Sequence, residues 1–176
     1  MANNETRQNV TISTLNLHGL TTSKAFLQSQ FEQNPNAIWA IQEHWLRPSV
    51  KQSKGVNQLQ TVHSNFDGWG TSAMEAVSTT QITRGRPYGG TGFLWNKKYA
   101  SAVKPLVNFK HDRVTVLQLD TADGPILCIS AYMPYFSGKD VEADVNMYRD
   151  VCGFIEMMTY ITEFNDRFHN CVRYEL

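Results

Sequence analysis

Apolar residues fall in short runs through the first three quarters of this chain and at helical spacing in the last. That order reads as strands followed by a long helix. Val10 to Leu17 alternates, with Val10, Ile12 and Asn16 in phase on one face, and predicts a strand. Phe26, Leu27 and Phe31 then recur at helical intervals, with Thr22 or Ser23 as the expected cap and Pro35 as the stop. Ala37 to Ile41 is continuously apolar, the pattern of a strand buried on both faces. Pro48 to Thr80 is polar and rich in Ser, Gln, Asn and Gly, which predicts loop with one short helix near Val56 to Leu59.

Thr91 to Trp95 reads as a short strand after the Gly89-Gly90 pair. Arg113 to Leu119 and Ile126 to Tyr132 predict a hairpin about Thr121 to Gly124, where Gly124 can take positive φ. From Asp140 to about Phe168, Val141, Val145, Tyr148, Cys152, Ile155 and Met158 recur every three or four residues. A long helix is expected there, its stripe packed in the core together with Met147 and Met157. Cys171 to Leu176 is expected to begin a further strand. The class is α/β.

At 176 residues and 41% apolar content the chain suits one domain, 1–176, preceded by a polar tail at 1–9. A net charge of zero excludes a histone-like or arm-type DNA protein but leaves room for one local basic groove. The three cysteines, Cys128, Cys152 and Cys171, lack the close pairing of a zinc or redox motif, and Cys128 reads as a small core residue. No apolar leader and no membrane-length run are present, so an intracellular, soluble protein with no membrane partner is expected.

The chemistry gathers at strand ends. Asn16 closes the first run and Glu43 follows the second, at the carboxyl rim where an α/β sheet offers its ligands. A carboxylate beside an amide oxygen begins a hard-cation site, because Mg²⁺ takes oxygen ligands and few of them from protein.

Thr14-Leu-Asn-Leu-His-Gly19 and Ile41-Gln-Glu-His-Trp-Leu46 resemble the first two motifs of the endonuclease/exonuclease/phosphatase superfamily, the DNase I-like fold. Ser72-Ala-Met74, Gly85 to Trp95, and Ile129-Ser-Ala-Tyr-Met-Pro134 narrow the resemblance to the endonuclease domain of non-LTR (LINE-type) retrotransposons. It covers about Val10 to Pro134. The resemblance implies the N-terminal part of a four-layered α/β sandwich, two packed mixed sheets with outer helices. It implies Mg²⁺-dependent phosphodiester hydrolysis of DNA, with Mn²⁺ as a substitute cation. Glu43 and Asn16 would hold the metal, Asn16 would also help hold the phosphate, and Tyr132 would donate to a phosphate oxygen in the transition state. His44, Arg86, Gly89 and Gly90 are candidate substrate contacts. His18, where the family often has an acidic or amide residue, stays unassigned. A reverse transcriptase domain downstream and a nuclear location are expected of the intact parent.

The family's water-activating carboxylate lies in a Gly-Asp-x-Asn motif after the long helix, and an Asp-His pair follows near the domain's end. Neither occurs in this sequence. Glu163-Phe-Asn165 is superficially similar but falls within the helical periodicity. The chain is therefore expected to be a C-terminally truncated domain, inactive alone and marginally stable, with the face of Leu127 and Ile129 lacking its partner sheet. A decayed, non-catalytic mobile-element fragment and a phospholipid or inositol-phosphate phosphoesterase of the same superfamily are the alternatives.

Overall fold

A computed structural model of the chain describes residues 10–47, 57–74 and 88–172, with the side chains of the last helix as far as 161. Among the described residues, seven strands form two sheets. The first runs β1 (Thr11–Asn16), β2 (Ala37–Gln42), β4 (Thr91–Asn96) and β3 (Phe66–Thr71) in that spatial order. β1 and β2 are parallel, whereas β4 is antiparallel to both its neighbours. The second sheet is β5 (Val103–Pro105), β6 (Val114–Thr121) and β7 (Gly124–Ala131), antiparallel throughout the described strands rather than mixed as expected. Helix α1 (Leu20–Gln33) covers the outside of the first sheet and α2 (Val141–Val172) the outside of the second.

Three apolar clusters mark the three interfaces of this four-layered arrangement. Leu27 and Phe31 of α1 pack with Trp39, Ile41 and Leu94. Ile38, Phe93 and Trp95 of the first sheet meet Leu117, Leu119 and Cys128 of the second. Val151, Phe154, Ile155 and Met158 of α2 lie against Val114, Val116, Leu127 and Ile129. The α/β sandwich anticipated from the sequence is present in these layers.

Several details differ from expectation. β1 is an edge strand among the described residues, and Ile12 on it is 51% exposed. Helix α1 begins at Leu20 behind Gly19, at φ 102°, with no side-chain cap. Thr22 and Ser23 instead turn their hydroxyls back onto the carbonyls of Gly19 and Leu17. Phe26 of α1 faces outward.

β3 lies inside the stretch expected to be loop. Its inward positions are Phe66, which stacks on Phe31 in the core, then Gly68 and Gly70, which carry no apolar signal. Leu59, from a 3₁₀ turn at Asn57–Thr61, fills the space they leave, and a Cβ on either glycine would stand 2.9 Å or less from Leu59. β5 is only three residues long and ends in proline, too little to register as a pattern. Leu127 and Ile129 are half-buried under α2 and do not lack a covering layer; the exposed apolar residue of β7 is Ile126. Met147 and Met157 are exposed because α2 packs only one narrow face on the sheet. That helix continues through Cys171 and Val172, which the sequence reading placed in a strand, and residues 173–176 lie outside the described residues.

Candidate active site

Beyond the paired strands, the chain after β1 and the chain after β2 stay zipped together. Leu17 N–H donates to Gln42 O at 2.9 Å, Gly19 N–H to Glu43 O at 2.8 Å and Leu20 N–H to His44 O at 3.0 Å. Asn16 and Glu43 are therefore held at one rim by main chain. The turn is tight: His18, Glu43 and Trp45 take positive φ of 47°, 53° and 56°. Non-glycine residues in that region cost of order 1 kcal/mol each and collect where the surroundings fix them for a purpose.

The side chains converge on the Glu43 carboxylate. Asn16 Nδ2 donates to Glu43 Oε1 at 3.2 Å, and His18 Nδ1 stands 2.9 Å from Glu43 Oε2. The Tyr132 phenol, arriving from the end of the second sheet, also hydrogen-bonds Glu43. Burial pushes the Glu43 carboxyl up, but the hydrogen bonds from Tyr132 and Asn16 and the charge and hydrogen bond of His18 outweigh it. Glu43 ends below the ordinary carboxylate range. The same bond to Glu43, then burial and the carboxylate's charge, hold the Tyr132 phenol above its usual value, while the guanidinium of Arg113 opposes them. Arg113 lies 5.7 Å from the Tyr132 ring centre and accepts the Tyr132 N–H on its carbonyl at 2.9 Å.

One residue below this rim the two sheets are joined by polar groups. Gln42 Nε2 donates to Ser130 Oγ at 3.1 Å, and Ser130 Oγ donates to Ile41 O at 3.1 Å. Farther along, Thr115 Oγ1 lies 2.9 Å from both Thr71 Oγ1 and Thr91 Oγ1. The carboxylate of Asp144 in α2 grips the loop after Tyr132, accepting from Ser137 N–H at 2.8 Å and Gly138 N–H at 2.9 Å.

Of the sequence-predicted site residues, Asn16, Glu43 and Tyr132 are brought together. His44 is not among them. It is 1% exposed, donates through Nε2 to Thr71 O at 3.0 Å and accepts Leu46 N–H on Nδ1 at 3.0 Å, so it cannot face a substrate. Burial drives its pKa down to about 4 against the opposing bonds to Thr71 and Thr91. Gly90, at φ 86°, lies flat on the His44 ring, where a Cβ would come within 2.3 Å of Cε1. Gly89 gives its carbonyl to Trp45 N–H at 3.0 Å. Both glycines are buried and serve this packing, which corrects their reading as substrate contacts. Arg86 lies outside the described residues. The contact missed from sequence is His18 on Glu43; its only signal was a histidine at a position where the resembling family has an acid or amide.

No family model matches the sequence, and no curated protein matches it. Among solved structures it is similar to the endonuclease domain of TRAS1, a telomere-specific non-LTR retrotransposon, at 17% identity over 78% of this chain and 51% of that one, with a TM-score of 0.48. It is similar to the 3'-5' exonuclease NExo from Neisseria meningitidis at 14% identity over 84% of this chain and 52% of that one, TM-score 0.47. A structure of the 3' phosphatase NExo from Neisseria bound to a product DNA hairpin matches at 15% identity over 71% and 42%, TM-score 0.43. The likeness is one of fold. The chain spans about half the length of these proteins.

Proposed function

We propose that this chain carries the cation- and phosphate-holding half of a DNase I-like phosphodiester hydrolase, of the kind that cleaves DNA in non-LTR retrotransposon endonucleases. The observation that supports it most is the convergence of Asn16, Glu43 and Tyr132 from two different sheets onto one rim. Glu43 and Asn16 are the residues that would hold Mg²⁺, with Mn²⁺ as a substitute. The donor set suits such an ion: one carboxylate kept ionised by its neighbours and one amide beside it. A divalent cation there supplies charge neutralisation at a phosphate oxygen.

The chain's own groups divide the remaining work. Asn16 donates to one carboxylate oxygen and accepts His18 N–H on Oδ1 at 3.2 Å, which fixes the direction in which Glu43 points. As a phenol Tyr132 keeps its proton at neutral pH, and Glu43 beside it favours that form further, so it remains a donor that can turn to a phosphate oxygen as charge builds there. The sequence offers no Gly-Asp-x-Asn carboxylate to activate water. Glu163 and Asn165, the nearest likeness, belong to the backbone of α2, and their side chains lie outside the described residues. In a longer parent protein this reading implies the missing motifs, a reverse transcriptase domain downstream and a nuclear location. Among the described residues no helix is long and apolar enough to cross a membrane.

The test is calorimetric binding of Mg²⁺ to the 176-residue chain, followed by plasmid nicking. Wild type should bind Mg²⁺ and Glu43→Ala should not. Neither should nick supercoiled DNA above a protein-free control, because general-base assistance worth about two to four orders of magnitude is missing. Mg²⁺ binding that survives Glu43→Ala would sink the ligand assignment. Robust nicking by wild type would sink the half-site reading.

A further inference from the structure

The His18 imidazole is given no ligand role above, yet it touches the central carboxylate. We infer that His18 and Glu43 form a mixed nitrogen–oxygen site that holds first-row transition-metal divalents, such as Co²⁺ and Zn²⁺, more tightly than Mg²⁺. The inference rests on the reading of Glu43 as a cation ligand and adds a selectivity to it.

The two side chains touch at hydrogen-bond distance, a spacing that two ligands of one ion also take. His18 Nδ1 and Glu43 Oε2 are 2.9 Å apart, and two neighbouring ligands at right angles on an ion with bonds of about 2.1 Å stand about 3.0 Å apart. The imidazole is aimed by its backbone. His18 sits at φ 47°, its N–H is taken by Asn16 Oδ1, and the Trp45 ring meets its ring edge-on at 6.3 Å between centres. Its side chain is 73% exposed, so an ion and its waters can reach the nitrogen without unpacking the core. Imidazole nitrogen discriminates between metals where carboxylate and water do not: it adds affinity for Co²⁺ and Zn²⁺ and little for Mg²⁺. An acid or amide at this position would leave an all-oxygen set.

Titration calorimetry of the 176-residue chain with Mg²⁺, Co²⁺ and Zn²⁺ tests this, together with NMR detection of paramagnetically shifted imidazole signals in Co²⁺. Wild type should bind Co²⁺ and Zn²⁺ at least about ten-fold more tightly than Mg²⁺. His18→Asn keeps a residue that tolerates positive φ, so the turn survives. It should lose about ten-fold in Co²⁺ affinity, lose the shifted signals, and hold Mg²⁺ within about three-fold. Equal affinities for the three ions would overturn the inference and leave Glu43 as a Mg²⁺ ligand. A preference that survives His18→Asn but vanishes in His111→Ala would also overturn it, placing the metal at the His111–Asp150 pair, where Nε2 and Oδ2 are 3.0 Å apart. Loss of all binding in Glu43→Ala, with the preference removed by His18→Asn, supports both readings. Wild-type binding that ignores Glu43 refutes both.

Discussion

The gap between the two sheets is closed along one side and open along the other. Beneath β2, β4 and β6, Ile38, Phe93 and Leu117 are at most 1% exposed, and the Thr71–Thr91–Thr115 cluster shares its hydroxyl bonds in the same buried zone. Toward β1 and β7, the edge strands, Ile12 is 51% and Ile126 47% exposed, although both belong to the inter-sheet face. The candidate site stands over a polar tie between the sheets: Gln42 and Ser130 are bonded one residue below Glu43 and two below Tyr132. Rigidity in this chain is therefore concentrated under the residues that meet at Glu43, while the same layer offers solvent an apolar strand edge elsewhere.

The sharpest way to break this comparison is to truncate one apolar side chain on each side. Phe93→Ala should cost about 3–5 kcal/mol and unfold much of the population, whereas Ile126→Ala should stay within about 1 kcal/mol in urea denaturation. Equal costs would mean that the open side is packed in solution. Acid comes next. His44 is neutral when folded, with its pKa pushed from 6.5 down to about 4, so its contribution is complete above pH 6.5. As pH falls through 6.5 the unfolded chain takes up the proton that the folded one refuses, and stability drops until pH reaches about 4. The loss is roughly 3 kcal/mol, and below that pH it grows no further from this group. His44→Gln should flatten that stretch of the stability–pH curve measured by urea denaturation; an unchanged curve would mean that His44 titrates freely. The smallest effect belongs to the open edge. Ile126→Lys should leave the unfolding free energy from urea denaturation within about 0.5 kcal/mol of wild type yet slow aggregation seen by light scattering, because a lysine on an edge strand blocks strand addition. Unchanged aggregation would move the sticky surface elsewhere.

Much of this arrangement was legible from the sequence because it is written in apolar runs and turn residues. β2 announced itself as five consecutive apolar residues, Ala37 to Ile41, and the β6–β7 hairpin by Thr121 to Gly124. What escaped was structure made by absence. Gly68 and Gly70 form β3 by leaving room for Leu59, a long-range fit that no local pattern records. The start of α1 at a glycine without a capping side chain gave no local signal either. At the site, Asn16, Glu43 and Tyr132 were readable as polar groups ending strands. His44 was not readable as buried, since its partners Thr71 and Leu46 are backbone groups and Gly90 is distant in sequence. His18 and His44 looked alike on paper, and the alternation of backbone signs around Glu43 sends one outward and the other in.

The main-chain zipper after β1 and β2 has a consequence for motion. Leu17, Gly19 and Leu20 leave the strand by shape, but their amides are bonded across to Gln42, Glu43 and His44 as strand amides would be. Hydrogen exchange at these positions should follow the slow opening of the sheet core rather than the fast fluctuations of a surface turn. The relative placement of Asn16 and Glu43 then lasts as long as the core itself, whichever side chains occupy those positions.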